Sequence, residues 1–158
     1  MPRYIGSAGL KQKFRNLFKL FVRIVLTRHN QRRYIPPSPN EELTMEHCLF
    51  CRIIARSIPA SIVFEDEHFI AIEDITPQAP LHLLLIPKKH FANLLDMTVE
   101  DDALVGHILR TGGDLARGRG DGDGGFRIVQ NNGTGAGQSV FHIHFHLLAG
   151  REFAWPPG

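Results

Sequence analysis

The chain has 158 residues, of which 43% are hydrophobic and 22% are charged. This composition is that of a globular protein, and the length supports one small domain with a real core rather than two. Residues 1–40 contain nine basic residues and no acid, whereas the nine basic and 16 acidic residues that follow leave the remainder at −7. The charge of the main part of the chain therefore argues against nucleic-acid binding.

Residues 1–40 are predicted to form a separate basic extension and linker. Apolar residues recur at helical spacing between Phe14 and Val25, with basic residues among them, which predicts an amphipathic helix. It is shorter than the ~20 apolar residues that a bilayer span needs, and it lacks a secretory cleavage pattern. An acid-free, Arg-rich helix is typical of a mitochondrial transit peptide, or of a membrane-surface helix over residues 11–27. We expect a mitochondrial or cytoplasmic location, with a disordered extension as the alternative.

Residues 46–158 are predicted to form one α+β domain. An apolar stripe over residues 49–57 predicts a short helix that Pro59 ends. Thr98 can cap a long helix over residues 99–117, because three acidic residues fill its positive first turn. Alternating or apolar segments between turn residues predict an antiparallel sheet of about five strands, at 61–64, 69–72, 82–86, 126–130 and 140–148.

The segment 140–148 carries the chemistry of the chain. In a strand, His142, His144 and His146 share one face, while Phe141, Ile143, Phe145 and Leu147 fill the other face, which suits the core. Three imidazoles on one face carry polar nitrogens that need partners, so packing alone does not explain them. The Gly-rich approach at 133–137, followed by Ser139, offers small residues and backbone N–H groups to an anion. These features indicate a phosphate site.

The pattern His-φ-His-φ-His-φ-φ, with φ apolar, spans His142 to Leu148 and is the motif of the histidine-triad family. The Gly-Gln-Ser before it, the terminal Trp-Pro-Pro-Gly, and the segments 74–82 and 86–90 resemble the Hint branch of that family. The resemblance covers residues 48–158. It implies the histidine-triad (HIT) fold, a two-fold homodimer, and hydrolysis of purine nucleoside phosphoramidates or binding of AMP-like nucleotides.

The resemblance also assigns roles to four residues. His144, the middle histidine, is the expected nucleophile, which forms a nucleotidyl-histidine that water then resolves. His146 and Ser139 are expected to bind phosphate oxygens or the leaving group. His82 matches a histidine beside the triad and takes part in proton relay, unless it is simply a polar residue at a strand start.

A nucleoside pocket follows from the same comparison of motifs. Asp74 matches an aspartate that accepts hydrogen bonds from ribose hydroxyls. Asn131 matches an asparagine near the ribose and phosphate, although a simple turn explains it equally well. Apolar positions expected around the base are also ordinary core positions. They are Leu49, Phe50, Ile53, Ile72, Ile75 and Leu84.

Cys48 and Cys51 lie three residues apart near a predicted helix start, a spacing that can hold one zinc ion. Some histidine-triad proteins complete such a site with two histidines, which here are His90 and His142. The resulting Cys2His2 set is typical of a structural zinc that the chemistry does not require. The alternative is a pair of buried thiols without metal.

Two other functions stay open from the sequence. Three histidines and a water are a catalytic zinc pattern, so the triad itself could make the protein a zinc-dependent hydrolase. The domain could instead be a nucleotide-binding interaction protein with weak hydrolase activity. In the Hint branch the C-terminal tail reaches towards the active site of the partner subunit, which predicts a buried contact for Trp155 in the dimer.

Overall fold

The computed structural model describes residues 47–119 and 124–157. The predictions for residues 1–40 lie outside the described residues, and they stay predictions. In the described part of the chain, no helix has both the length and the apolar character needed to cross a membrane. The elements are α1 (Leu49–Ile54), β1 (Ile62–Glu65), β2 (Phe69–Glu73), β3 (Leu81–Pro87), α2 (Asp102–Arg119), β4 (Phe126–Val129) and β5 (Phe145–Ala149).

The five strands form one antiparallel sheet in the order β1-β2-β3-β5-β4. The predicted α+β class, the strand count and the single long helix are therefore confirmed. β3 and β5 lie next to each other at the centre, and Leu84 of β3 is paired with His146 of β5. This register places the last triad histidine beside the most buried strand of the sheet.

Each face of the sheet has its own apolar cluster. On the α2 side, Ile143, Phe145 and Leu147 join the larger core with residues of β2 and β3. A Cβ at Gly112 of α2 would lie 2.8 Å from the Leu85 side chain, so this glycine lets the helix pack closely on the sheet. On the α1 side, a smaller cluster of aliphatic residues surrounds Phe50. The triad segment therefore separates two hydrophobic layers.

The first helix ends earlier than predicted. α1 stops at Ile54, not at Ser57, and Arg56 adopts a left-handed conformation with φ of 62°. The N–H of Ser57 then donates to the carbonyl of Arg52 over 2.8 Å, which closes the helix by a Schellman-type bond. Pro59 lies beyond this turn and does not end the helix. A non-glycine residue in this conformation is uncommon, so the position of this turn could not be predicted from residue types.

The long helix begins close to the predicted place but in two steps. A 3-10 turn at Val99–Asp101 precedes α2. The Asp101 carboxylate accepts hydrogen bonds from the Thr98 N–H at 3.0 Å and from the Thr98 hydroxyl at 3.2 Å. The helix extends to Arg119, two residues further than predicted.

The triad strand is shorter than predicted. β5 includes only Phe145–Ala149, and residues 140–144 lie outside the sheet. β3 ends at Pro87, which has no N–H to continue the ladder, and the N–H of Ile143 donates instead to the Phe91 carbonyl over 2.7 Å. The prediction that Phe141 fills the core is wrong, because its side chain is 52% exposed.

Candidate active site and metal centre

The three triad histidines lie on the α1 side of the sheet but face different partners. The rings of His144 and His146 are 5.1 Å apart between centroids. Phe50 of α1 packs edge-on against His144 at 5.0 Å and against His142 at 5.9 Å. His142 and His144 are buried and His146 is partly exposed. The triad therefore forms a row in which only the last ring approaches solvent.

The hydrogen bonds of His144 assign its tautomer. Its Nδ1 lies 2.8 Å from the backbone carbonyl of His142, and a carbonyl oxygen can only accept. The proton is therefore on Nδ1, and Nε2 carries a free lone pair. A neutral imidazole with this tautomer presents Nε2 as a nucleophile.

A hydrogen-bonded chain assigns the tautomers of His82 and His146, called here the relay pair. The backbone N–H of Gln78 donates to Nδ1 of His82 over 3.1 Å, so the His82 proton is on Nε2. That Nε2–H faces Nδ1 of His146 at 2.9 Å. His146 must accept there, so its own proton is on Nε2. His146, the last ring in this series of hydrogen bonds, therefore presents its Nε2–H as a donor.

Asp74 lies beside the relay pair. Its Oδ2 is 3.3 Å from Nε2 of His82 and 3.9 Å from Nδ1 of His146, and its Oδ1 accepts from the backbone N–H of Thr76. The carboxylate therefore supports the His82 Nε2–H and also folds the loop that follows β2. One oxygen faces the histidines, while the other is used by the loop.

Burial keeps the histidines of this site neutral. It lowers the pKa of His146 to about 4, with smaller contributions from the neighbouring His144 and His82 rings. Burial is also the main cause that lowers the pKa of His144 and of His82, and in both cases the Asp74 charge opposes it. At neutral pH the site therefore offers one free lone pair and one N–H donor, without an imidazolium.

The second constellation is the metal cluster, formed by Cys48, Cys51, His90 and His142, whose ligand atoms all lie within 4.8 Å of one another. Nδ1 of His142 is 3.4 Å from each sulfur, and Nδ1 of His90 is 3.3 Å from the Cys51 sulfur. The two Nδ1 atoms are 3.1 Å apart. Tetrahedral zinc with ligand bonds of about 2.0 to 2.3 Å places its ligand atoms about 3.3 to 3.8 Å apart. The predicted ligands are therefore brought together at distances close to those of a zinc site.

The protons around the metal cluster support the same fit. Nε2 of His142 donates to the Pro87 carbonyl over 2.9 Å, which leaves the Nδ1 lone pair directed at the sulfurs. A hydrogen bond between the two thiols lowers the pKa of Cys48 and raises that of Cys51. Two sulfurs and two imidazole nitrogens that converge on one point are a ligand set for a cation.

A zinc ion held by all three triad histidines does not fit this geometry. Among the described residues, His142 groups with the cysteines, and His146 groups with Asp74 and His82. His144 belongs to neither group. The second group is close enough to hold a metal, but the Gln78 N–H occupies Nδ1 of His82 and leaves a proton on the nitrogen that would have to coordinate. That group is explained by its hydrogen bonds.

The Gly-rich loop is anchored by Gln138, whose role the sequence reasoning missed. Its amide is 3% exposed, donates to the Ala92 carbonyl over 2.6 Å, and accepts from the Gly133 N–H over 2.8 Å. Ser139 follows it and is exposed next to the triad segment. A glutamine within a run of small residues was the available signal, because such a side chain can tie the loop to itself.

The predicted nucleoside residues divide into a buried and an exposed group. Phe50, Ile53, Ile72 and Leu84 are buried together in the α1-side cluster. Leu49 is 43% and Ile75 95% exposed, so these two border solvent. Asn131 follows β4 and is half-buried near Gly137. The neighbouring Asn132 accepts from the Leu94 N–H over 2.7 Å and so ties the loop after β4 to the 3-10 turn at Leu94–Asp96.

Comparison with known proteins identifies the family. The family described as "Scavenger mRNA decapping enzyme C-term binding" matches residues 47–153. An uncharacterised HIT-like protein of Synechocystis is 52% identical over 113 residues, which are 72% of this chain and 98% of that protein. The crystal structure of a HIT family hydrolase from Legionella pneumophila is 50% identical with a TM-score of 0.69, and the match covers 71% of this chain and 100% of that one.

A second similar structure bears on the metal cluster. It is a zinc-bound histidine-triad family protein from Mycobacterium smegmatis, 38% identical with a TM-score of 0.60, matched over 68% of this chain and 78% of that one.

From these comparisons, the chain belongs to the histidine-triad family, and it resembles the hydrolases of that family.

Proposed function

We propose that this protein hydrolyses purine nucleoside phosphoramidates through a nucleotidyl intermediate on His144. The observation that carries the proposal is the opposite tautomer of two neighbouring triad rings. His144 presents a free Nε2 lone pair, and His146 presents an Nε2–H donor. A nucleophile next to a donor suits attack on phosphorus with stabilisation of the charge that develops there.

The proposed reaction has two steps. The Nε2 of His144 attacks the α-phosphorus, the new P–N bond forms, and the bond to the leaving amine breaks with its electron pair. Water then attacks the same phosphorus and releases the nucleoside monophosphate and free His144. The amine takes up one proton and the attacking water gives up one, so protons balance over the cycle. We assign the donor role to His146 and support of the phosphate oxygens to Ser139.

Asp74 is the proposed ribose partner, and the residues around Phe50 are the proposed wall for the base. The Asp74 Oδ2 faces the relay pair, with 12% of its side chain exposed. A ribose hydroxyl that donates to this carboxylate would therefore sit next to His82 and His146. Ile75 and Leu49, both exposed, would border the nucleotide from solvent.

The metal cluster is proposed to hold a structural zinc ion. Cys48, Cys51, His90 and His142 would be its four ligands, and a closed four-ligand site leaves no position for substrate. The ion would supply only a cross-link between α1, the β3–α2 connection and the triad segment. No step of the proposed reaction passes through it.

The deciding experiment incubates the full-length protein with a fluorogenic adenosine phosphoramidate, with and without a zinc chelator. Rapid turnover that survives brief chelation and disappears in His144→Ala supports the proposal. Turnover that a chelator abolishes at once would support a zinc-dependent hydrolase instead. Nucleotide binding without turnover would favour a nucleotide-binding interaction protein. A cap dinucleotide is the comparison substrate, because the matched family takes its description from a decapping enzyme.

Assembly as a two-fold dimer is part of the same proposal. β4 is an edge strand, and Phe126 at its start is 44% exposed. Trp155 in the tail is 85% exposed in the single chain, which is a large apolar surface to leave in water. A second copy that covers β4 and receives the tail would bury both. Light scattering on the full-length protein measures the mass directly, and a monomer would contradict this arrangement.

A further inference from the structure

We propose that Arg151 is a positioning residue for the relay pair, and that it acts through the backbone of Gln78. The inference rests on the proposed function for its effect on turnover, but its structural part concerns only this chain. Arg151 lies after β5 and outside the triad motif. Its side chain nevertheless reaches the loop that sets the tautomer of His82.

The path begins at the end of β5. Gly150 has φ of 85°, a conformation that favours glycine, and it turns the chain back after Ala149. The Nε of Arg151 then donates to the Gln78 carbonyl over 3.0 Å, and its Nη1 donates to the Glu152 carbonyl over 2.8 Å. The guanidinium also stacks on the ring of Phe153 at 4.3 Å. Two bonds and one stacked face hold the side chain in a single orientation.

The loop between β2 and β3 is fixed at two points. At its start, the Asp74 carboxylate accepts from the Thr76 N–H over 2.8 Å. Further along, the amide side chain of Gln78 donates to the Thr76 carbonyl over 2.8 Å. Within the described residues, the Gln78 carbonyl is tied to the body of the domain by Arg151. Release of that carbonyl would free the Gln78 backbone to rotate.

Rotation of Gln78 matters because its N–H is the group that determines the His82 tautomer. That N–H donates to Nδ1 of His82 over 3.1 Å, and His82 in turn donates to His146 over 2.9 Å. Without the Gln78 donor, only the Asp74 carboxylate, 3.3 Å from Nε2, would still favour the Nε2 proton, so the tautomer with the proton on Nδ1 would become populated as well. His146 would then lose the partner that keeps its own proton on Nε2. Arg151 therefore orients a donor that lies three hydrogen bonds away.

The expected consequence is a loss of turnover with little change in nucleotide affinity. A positioned acid or base contributes about 10²- to 10⁴-fold to a rate, so a partly misaligned one should cost roughly 5- to 50-fold in kcat. KM and the Kd for AMP should change less than about 2-fold, because Arg151 touches neither the base wall around Phe50 nor Ser139.

The chain offers a matched control in Arg127. Its guanidinium also stacks on Phe153, at 4.8 Å, and it also donates to a backbone carbonyl of the tail, that of Ala154, over 2.8 Å. Substitution of either arginine by methionine removes one charge, one stacking contact and one bond to a backbone carbonyl of the tail, that of Glu152 or of Ala154. Only Arg151 is bonded to Gln78. Any effect of tail charge or tail order should therefore appear in both variants.

The experiment compares Arg151→Met, Arg151→Lys and Arg127→Met with the parent, all as full-length protein. Two-bond ¹H–¹⁵N spectra of ¹⁵N-histidine-labelled protein report which nitrogen of each ring carries the proton, and a His82→Asn sample assigns the His82 signal. We expect the His82 pattern to move from pure Nε2–H towards a mixture in Arg151→Met, partly in Arg151→Lys, and not in Arg127→Met. The kcat for the phosphoramidate should follow the same order.

Unchanged His82 signals in Arg151→Met would overturn the inference, and so would an equal loss of kcat in the two methionine variants. If Arg151→Met does not fold, Arg151→Lys carries the same comparison, because a lysine retains the charge without the Nε donor. The NMR comparison needs no substrate, so it decides the role of Arg151 separately. Absence of turnover in the parent would contradict the proposed function without touching the tautomer result.

Discussion

The metal cluster and the relay pair use the same residue type in opposite ways. In the metal cluster, the Nδ1 atoms of His90 and His142 lie 3.1 Å apart, and both face cysteine sulfurs. In the relay pair, the His82 N–H faces an acceptor on His146, and the Gln78 N–H faces an acceptor on His82. The first arrangement is the one proposed to hold a metal ion, and the second is explained by its hydrogen bonds alone.

The backbone decides which use each histidine serves. The Pro87 carbonyl takes the Nε2–H of His142, the His142 carbonyl takes the Nδ1–H of His144, and the Gln78 N–H takes the lone pair on Nδ1 of His82. Each main-chain group fixes one ring nitrogen and leaves the other for the role proposed for that ring. His142 joins the two regions, because its ring belongs to the metal cluster and its carbonyl orients His144, the proposed nucleophile.

The largest expected effect separates the two regions by function. His144→Ala should lower kcat for a nucleoside phosphoramidate by at least about 10³-fold, because the attacking nitrogen is gone. Bound zinc should stay near that of the parent, since His144 is not in the metal cluster. Stopped assays with mass detection of the nucleotide product measure the rate. His68→Ala, which removes an exposed ring from the β1–β2 turn, is the control and should retain parental activity. Turnover above a few per cent in His144→Ala would place the nucleophile elsewhere.

The second effect breaks the metal cluster and spares the relay pair. Cys51→Ser should lose bound zinc and lower the free energy of unfolding by about 3 kcal/mol or more, because metal binding energy is folding energy. Elemental analysis and thermal melts with and without added zinc measure both changes. The parent depleted of zinc by a chelator is the control, and it should melt near the variant. A zinc-free parent protein that melts as high with chelator as without it would rule out the site.

Acid should act on the relay pair through proton linkage. The folded pKa of His146, about 4, lies below its ordinary value of 6.5, so the unfolded chain binds more protons between these pH values. The contribution of His146 to the free energy of unfolding is therefore fully present above pH ~6.5. It is lost as the pH falls towards 4, and this loss lowers the free energy of unfolding by at most about 3 kcal/mol. Urea unfolding of zinc-free protein at several pH values measures it, because acid also strips the metal.

The control for this pH dependence is His146→Gln, in which the slope of stability against pH should become shallower over the same window. The lowered pKa of His82 acts in the same direction, so some slope should remain in this variant. A parent protein whose stability is level between pH 6.5 and 4 would show that these rings are not held neutral by burial.

Much of the fold and of the candidate site was predicted from the sequence, and each wrong prediction has a physical reason. Period-two alternation predicted the central strand, and the spacing of Cys48 and Cys51 predicted two ligands that the structure brings next to His90 and His142. The resemblance to a known family added the two histidines. The end of α1 could not be predicted, because Arg56 takes a conformation that arginine rarely adopts. Phe141 is exposed because β3 ends at Pro87, so its pairing with the triad strand stops before Phe141. The alternation of apolar residues within 140–148 carries no information on where the neighbouring strand ends.

The tautomers of the site histidines could not be predicted from the sequence either. They depend on main-chain groups of Pro87, His142 and Gln78, and every residue type offers the same carbonyl. The role of Arg151 could not be predicted either, because an arginine after a strand is common in soluble proteins. Only the folded geometry shows that its side chain reaches the loop before β3.

The C-terminal tail should have the smallest effect, and only on the choice of leaving group. Deletion of residues 154–158 removes Trp155, which is 85% exposed, and leaves Arg151 and Phe153 in place. If the tail of one copy contacts the leaving group in its partner, the ranking of phosphoramidates that differ only in their amine should change by about 3- to 10-fold, which corresponds to about 1 kcal/mol. The rate for the smallest amine, zinc content and dimer mass should stay near those of the parent. Trp155→Ala is the matched single change, and an unaltered ranking in both variants would assign the tail no part in specificity.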